Sequence, residues 1–183
     1  MSQITKNALG NSLKGLLQKK PLNKVTVKDV VEDCGVNRQT FYYHFQDIYD
    51  LLEWMFSQDL DKFFCSQSDN LNWQDWCDIL VKYMQENKKL ILNVYNSVPH
   101  EKLERHLEIW IKPAISKLVE NFSEGKSYSE ENKSFVENIY TISLEGLLMQ
   151  WIETGMSEDK LKYIGKLFII MDGSMTFMLE KLS

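Results

Sequence analysis

Chain breakers and cross-links are scarce in this sequence. Its 183 residues include only eight glycines, three prolines and three cysteines. All-β sandwiches and barrels need a turn roughly every ~8–12 residues, so long helices are what remains. Cys34, Cys65 and Cys77 are odd in number and form no C-x-x-C pair. That argues against a disulfide framework or a zinc knuckle and fits a reducing cytoplasm. No continuous apolar segment opens the chain as a signal peptide requires. The longest strongly apolar run, Leu167-Phe168-Ile169-Ile170-Met171, falls far short of the ~20 residues that span a bilayer. A cytoplasmic protein with no membrane partner is expected.

What is present is an ordinary globular balance, 44% hydrophobic and 26% charged, enough to bury one real core. The formal net charge of −5 has the wrong sign for a nucleic-acid binder. Divided at residue 45, however, the total separates. The first 45 residues carry seven basic groups (Lys6, Lys14, Lys19, Lys20, Lys24, Lys28, Arg38) against three acids (Asp29, Glu32, Asp33), a net +4, and the rest carries −9. A basic head on an acidic body is expected.

Apolar spacing of three and four residues runs through the whole chain. Ile4, Ala8, Leu9, Leu13, Leu16 and Leu17 make one face of a helix over about 3–19, closed by Pro21. Thr26-Val27-Lys28-Asp29 has the form of a capping box for a short helix over about 27–34 that stops at Gly35. Asn37 can cap a third helix from Arg38 to Phe45, and Asp47 a longer one from Ile48 to about Cys65. Two short helices joined by a glycine-containing turn, preceded by a third helix, form a helix-turn-helix arrangement. Further helices are expected over about 73–85, 88–97, 100–122 with a kink or break at Pro113, 130–154 and 158–181, with Asn72 capping the first of them. The fold class is therefore all-α, with a three-helix helix-turn-helix head over residues 1–50 and a helical body over 51–183.

Signals for catalysis come up short. Gly125-Lys126-Ser127 resembles the tail of a phosphate loop, but Glu120 stands where its leading glycine belongs. His100 and Glu104 are the only pair spaced like metal ligands, and on a mixed helix such a pair is more often a solvated face. No enzymatic activity, catalytic residue, metal or cofactor is expected.

The third helix is harder to explain as packing. Phe41 and Phe45 form its buried stripe, which leaves Arg38, Gln39, Thr40, Tyr42, Tyr43 and His44 on the other sides. Phenols, an imidazole and a helix start bond phosphate oxygens without reading sequence. Arg and Gln at the helix start are residue types that bond guanine and adenine edges in the major groove. Double-stranded DNA is the expected partner.

These residues, Thr26-Val27-Lys28-Asp29-Val30-Val31 and Cys34-Gly35-Val36-Asn37-Arg38-Gln39-Thr40-Phe41-Tyr42-Tyr43-His44-Phe45, closely resemble the DNA-binding head of TetR-family transcriptional regulators over about residues 4–54. The resemblance implies an all-helical homodimer in which residues 51–183 are the regulatory and dimerisation domain, and two heads related by its two-fold symmetry would read a pseudo-palindromic operator. Arg38 and Gln39 would read bases, and Thr26, Lys28, Thr40, Tyr42, Tyr43 and His44 would serve the DNA backbone. Two positions depart from the family pattern: Gln39 stands where a small residue is common, and Gln46-Asp47-Ile48 lacks the usual lysine of the next helix. The chain is also similar to a subgroup, the activators of dihydroxyacetone kinase operons. That similarity implies control by a kinase-like coactivator protein docked on the acidic body. A protein–protein adaptor with a degenerate head is the alternative.

Dimer contacts are sought in the last two helices. Leu161, Ile164, Phe168, Met171, Met175, Met178 and Leu182 repeat as an a/d seam, and Leu167, Ile170, Ser174 and Phe177 form a second face. The preceding helix has Phe135, Ile139, Ile142, Gly146 and Met149 on one side and Val136, Tyr140, Leu144, Leu147 and Trp151 near another. Helices apolar on two faces must be sandwiched. The seam and the Phe135 side are expected at a four-helix dimer interface, with a large monomeric core as the other arrangement. Gly146, Gly165 and Ser174 are candidate close helix crossings. Trp73, Trp76, Tyr83, Met84, Trp110 and Trp151 are expected as plain core or, less often, the lining of a small-molecule effector cavity.

Overall fold

The computed structural model describes residues 2–65 and 73–183, with side chains described for all of these except residues 2, 60–65, 73, 74, 110 and 172. Nine α-helices and no strand occur among the described residues. They are α1 (Ser2–Leu17), α2 (Val27–Asp33), α3 (Arg38–His44), α4 (Ile48–Cys65), α5 (Trp73–Glu86), α6 (Lys88–Tyr95), α7 (His100–Ser123), α8 (Glu130–Glu153) and α9 (Glu158–Leu182). A 3-10 turn, Leu22–Lys24, follows Pro21. The helix ends fall within a few residues of those expected; Asn72, expected to cap α5, lies outside the described residues. α7 continues as one helix through Pro113, so the break expected there is not found. Proline removes the donor to the carbonyl of Ile109, and Ile109 and Pro113 are both exposed, where water can take that carbonyl.

The chain separates into two compact units. The first comprises residues 1–70 and 86–99, the second residues 71–85 and 100–183. The head expected over residues 1–50 falls in the first unit, which also takes in α4 and α6.

In the first unit α1 is the central helix, packed on α2, α3, α4 and α6. Leu9, Leu13 and Leu17 are fully buried, whereas Ile4 is 78% exposed and is not part of the core face expected for it. Ser12, buried on α1, donates its hydroxyl to the carbonyl of Val30 at 3.1 Å and so ties α1 to α2. Gly10 lets α1 meet α4: a Cβ built there would lie 2.9 Å from Cζ3 of Trp54. Asn93 of α6 donates to the carbonyl of Leu17 at 2.7 Å, occupying one of the acceptors that every helix C-terminus leaves open.

In the second unit α8 packs extensively on both α7 and α9. Val136, Leu144, Leu148, Ile164, Met171, Met175 and Leu179 have no exposed surface. The Tyr140 hydroxyl meets the Ser174 hydroxyl at 2.5 Å and donates to Sδ of Met178 at 3.3 Å, so Ser174 does mark a contact between α8 and α9. Gly146 and Gly165 do not, since a Cβ at either would meet nothing within 4 Å. The turn between α8 and α9 passes through Gly155 and Met156, both with positive φ, and Met156 donates its amide to the carbonyl of Trp151 at 2.7 Å.

Candidate nucleic-acid interface

The local chemistry of the first unit builds α2 and α3 largely from caps. Thr26 and Asp29 form a complete capping box: the Asp29 amide donates to the Thr26 hydroxyl at 3.2 Å, and the Thr26 amide to Asp29 Oδ2 at 2.8 Å. The Thr26 hydroxyl also donates to Asp29 Oδ2 at 2.8 Å, and Lys20 pairs with the same oxygen at 3.0 Å. These donors, the Thr26 hydroxyl first, pull the Asp29 carboxyl down to about 2. Gly35, at φ +69°, then turns the chain out of α2 in the left-handed conformation that glycine adopts without penalty.

Asn37 caps α3 by accepting the Thr40 amide at 2.8 Å and the Thr40 hydroxyl at 3.0 Å. Phe41 is fully buried and Phe45 nearly so, and Phe45 packs on Trp54 of α4 with ring centroids 5.6 Å apart. Lys6 lies over both rings. With that stripe inward, the remaining faces of α3 point to solvent. Arg38 and Gln39 are exposed at its start, and Tyr42 and Tyr43 are 59% and 82% exposed farther along. His44 is half-buried and meets the Tyr43 ring edge-on at 4.8 Å.

The expected DNA-facing residues are thus brought onto one short stretch of α2 and α3. Two of them are already engaged: the hydroxyls of Thr26 and Thr40 donate within their own caps, so these threonines act first as builders of the helix ends. Lys28 is exposed and lies 3.7 Å from Glu32. The α4 start repeats the pattern with Asp47, whose Oδ1 accepts the amides of Tyr49 at 2.8 Å and Asp50 at 3.0 Å. Asp50 Oδ2 in turn accepts the Gln46 amide at 2.9 Å. Asp50 was not singled out by the helix pattern, although a carboxylate three residues after Asp47 is the only signal needed.

The charge division needs correcting. Residues 46–59 add four acids and no base, so residues 1–59 hold seven of each sign. The whole first unit has ten basic and ten acidic residues, a net of zero, and the second unit carries all of the −5. The basic head ends where α3 ends, because α4 belongs to the same folded unit.

The expected dimer residues divide into two groups. On α8, Phe135, Ile139 and Ile142 are 50%, 39% and 66% exposed, Gly146 is exposed and Met149 half-buried. On α9 the expectation is corrected: Ile164, Met171 and Met175 are fully buried within the chain, Phe168 nearly so, and Leu161 and Met178 half-buried. That a/d seam fills the core of the second unit. The open side of α9 carries Tyr163, Ile169, Ile170 and Phe177 instead.

Trp76, Tyr83, Met84 and Trp151 are buried in the second unit, while the side chains of Trp73 and Trp110 lie outside those described. The Trp151 indole donates to the Ser157 carbonyl at 3.0 Å, a structural use. A cavity of about 120 Å³ lies instead in the first unit, lined by Asn7, Gly10, Lys14, Trp54 and Asp59 among others. Among the described residues no group of three or more His, Cys, Asp or Glu could hold a metal, and no helix is long and apolar enough to cross a membrane. Lys126 of the Gly125-Lys126-Ser127 segment is paired with Glu180.

Comparison with known proteins agrees with this geometry. Residues 14–55 match the model of bacterial regulatory proteins of the tetR family, and residues 71–173, more than half of the chain, match that of a transcriptional regulator C-terminal region. The HTH-type dhaKLM operon transcriptional activator DhaS of Lactococcus lactis subsp. lactis (strain IL1403) is 26% identical over 162 residues, which cover 87% of this chain and 86% of that protein. Two solved structures share the fold. A dihydroxyacetone kinase operon activator DhaS superposes with a TM-score of 0.73 at 23% identity, covering 97% of each chain. A TetR transcriptional regulator from Streptococcus agalactiae 2603V does so with 0.58 at 24% identity, covering 92% of this chain and 94% of that one. With α3 of the helix-turn-helix exposed and both family models matched, this chain belongs to the TetR family of bacterial transcriptional regulators.

Proposed function

We propose that the chain is a cytoplasmic, homodimeric regulator that binds a pseudo-palindromic operator, reading bases with Arg38 and Gln39. Lys28, Tyr42, Tyr43 and His44 hold the phosphate backbone, and Thr26 and Thr40 serve it through the caps they build. The observation that carries this reading is α3 itself: a seven-residue helix buried only along Phe41 and Phe45, with its polar and phenolic side chains turned to water. Such a surface matches the groups that contact groove edges and phosphates. Pairing through the outward side of α8 and α9 sets two such helices on half-sites one DNA turn apart, roughly 34–36 Å.

The kinship with the dhaKLM operon activator supports positive control. In this reading the signal is a kinase-like coactivator protein docked on the acidic second unit. A small-molecule effector is the second reading, and one observation favours it: the hydroxyl of Thr141, only 3% exposed in the second unit, has no hydrogen-bond partner among the described residues. The test is a mobility shift with the upstream region of the protein's own operon at low salt, with and without a purified dihydroxyacetone-kinase-like protein. A retarded species that the added protein alters is expected. Absence of a shift with every neighbouring promoter refutes the DNA-binding reading in favour of an adaptor.

A further inference from the structure

We propose that the cavity between α1 and α4 in the first unit is a binding site for a small neutral polyol. Its volume of about 120 Å³ falls below the ~300–1,000 Å³ of pockets that take drug-sized ligands. An apolar cavity of ~150 Å³ takes up benzene, so an occupant of about six non-hydrogen atoms fits here. The lining decides its chemistry. Asn7 and Asn11 stand one turn apart on α1, both exposed, and neither side-chain amide is held by another protein group among the described residues. Each offers donors and an acceptor. Lys14, farther along the same edge of α1, is held by Asp59 of α4 at 2.6 Å, with side chains 33% and 14% exposed. Trp54, which stands against Gly10, supplies an aromatic wall, and Gln58, bonded to Gln3 at 3.2 Å, closes the α4 side.

A charged ligand gains little in this cavity. The Lys14 ammonium and the Asp59 carboxylate lie together, so an ionic occupant finds a like charge as near as an opposite one. An aliphatic occupant would cover the amides and the ion pair without replacing the hydrogen bonds they make to water. A polyol meets both demands, because its hydroxyls donate and accept while its C–H edges lie on the indole. Hydroxyls at the two ends of a three-carbon chain reach ~5 Å, about one helical turn, which is the spacing of Asn7 and Asn11 along α1. Trp54 also packs on Phe45 at the end of α3, with ring centroids 5.6 Å apart. An occupant seated on Trp54 therefore braces the wall on which α3 rests.

The experiment titrates the full isotope-labelled chain with glycerol and, separately, with 1-propanol, inorganic phosphate and ethylammonium, followed by NMR; no DNA is present, so the result is independent of the operator test. Glycerol should give saturable shifts of the Trp54 indole N–H and of the Asn7 and Asn11 side-chain amides, with the other indoles unmoved. The double variant Asn7→Ala with Asn11→Ala gains helix preference at two exposed positions, and circular dichroism checks its fold. It should raise the half-saturating concentration about tenfold or more, the loss of two hydrogen bonds. Gly15→Ala, with open space around its Cβ, should leave that concentration unchanged. Shifts that grow linearly with glycerol or spread evenly over the chain mark a solvent effect and overturn the proposal. Equal shifts with 1-propanol, a preference for phosphate or ethylammonium, or a double variant that titrates like wild type overturn it as well.

Discussion

Gly10 and Gly15 lie in the same helix, yet alanine should have opposite effects at the two positions. Neither glycine adopts a positive φ, so in both cases alanine gains roughly 0.5–1 kcal/mol of helix preference and reduced chain entropy. At Gly15 nothing lies within 4 Å of the new Cβ, and that gain should appear in full. At Gly10 the Cβ would stand 2.9 Å from Cζ3 of Trp54 and 3.6 Å from its Cε3. Unstrained carbon contacts need about 3.5–4.0 Å, so the indole must retreat by roughly half an ångström. It is not free to do so without disturbing neighbours, because it packs on Phe45 at the end of α3 and lies beneath Lys6. Overpacking of this kind costs about 1–3 kcal/mol, which outweighs the helix gain. Gly10→Ala should therefore melt below wild type and Gly15→Ala above it, separated by about 2–4 °C for each kcal/mol of difference. Thermal unfolding followed by circular dichroism decides the matter. Gly10→Ala should also weaken DNA binding beyond what its stability loss explains, since Phe45 anchors α3. Equal stabilisation of both variants would refute the claim that α1 and α4 are in contact at Gly10.

Arg38→Ala should cost about 1–3 kcal/mol of operator binding and relax preference at one base, whereas Lys28→Ala should weaken all sequences alike and flatten the salt dependence by about one unit. Fluorescence anisotropy on operator and scrambled duplexes separates the two; identical behaviour would remove Arg38 from base reading. Asp29, held down to about 2 by the Thr26 hydroxyl, the Thr26 amide and Lys20, gives a signed pH effect. Its folded value lies below the ordinary 3.8, so the stabilisation is complete above that pH and is lost as pH falls towards about 2. A carboxyl NMR titration of Asp29 with a midpoint near 4 would contradict the capping-box geometry.

The parts of this structure that could be read from sequence are those set by near neighbours in the chain. Thr26 with Asp29, Asn37 with Thr40, and Asp47 with Tyr49 and Asp50 each close over two or three residues, so residue type and spacing suffice to predict them. Gly10 against Trp54, Ser12 on the Val30 carbonyl and Asn93 on Leu17 depend on tertiary contacts, and nothing local announces them. Ile4 continued the apolar period of α1 but lies beyond the neighbours that cover Leu9, Leu13 and Leu17. The exposed edge of α3 was legible because two apolar residues at i, i+4 left every other side for water. Charge misled for a related reason: the division at residue 45 followed the sequence motif, while folding assigns α4 and its acids to the same unit.

The α9 seam presents the same limit most sharply and leads to a direct test. A 3-4 repeat identifies a stripe that must be covered, and it carries no record of what covers it. Met171 and Met175 are already covered by their own chain, while Ile142 on α8 and Phe177 on α9 remain 66% and 59% exposed. A carboxylate therefore has different consequences on the two faces. Met171→Asp places an unpaired charge in the core and should unfold the second unit. Ile142→Asp and Phe177→Asp leave the carboxylate in water in a monomer, but would strand it in an apolar dimer interface. Both should keep the helical circular dichroism of wild type and elute as monomers by size exclusion with light scattering. Their DNA affinity should then drop about 10²–10⁴-fold, the advantage that linking two binding modules supplies. A folded Ile142→Asp protein that remains dimeric would show that the outward side of α8 is not where two copies meet.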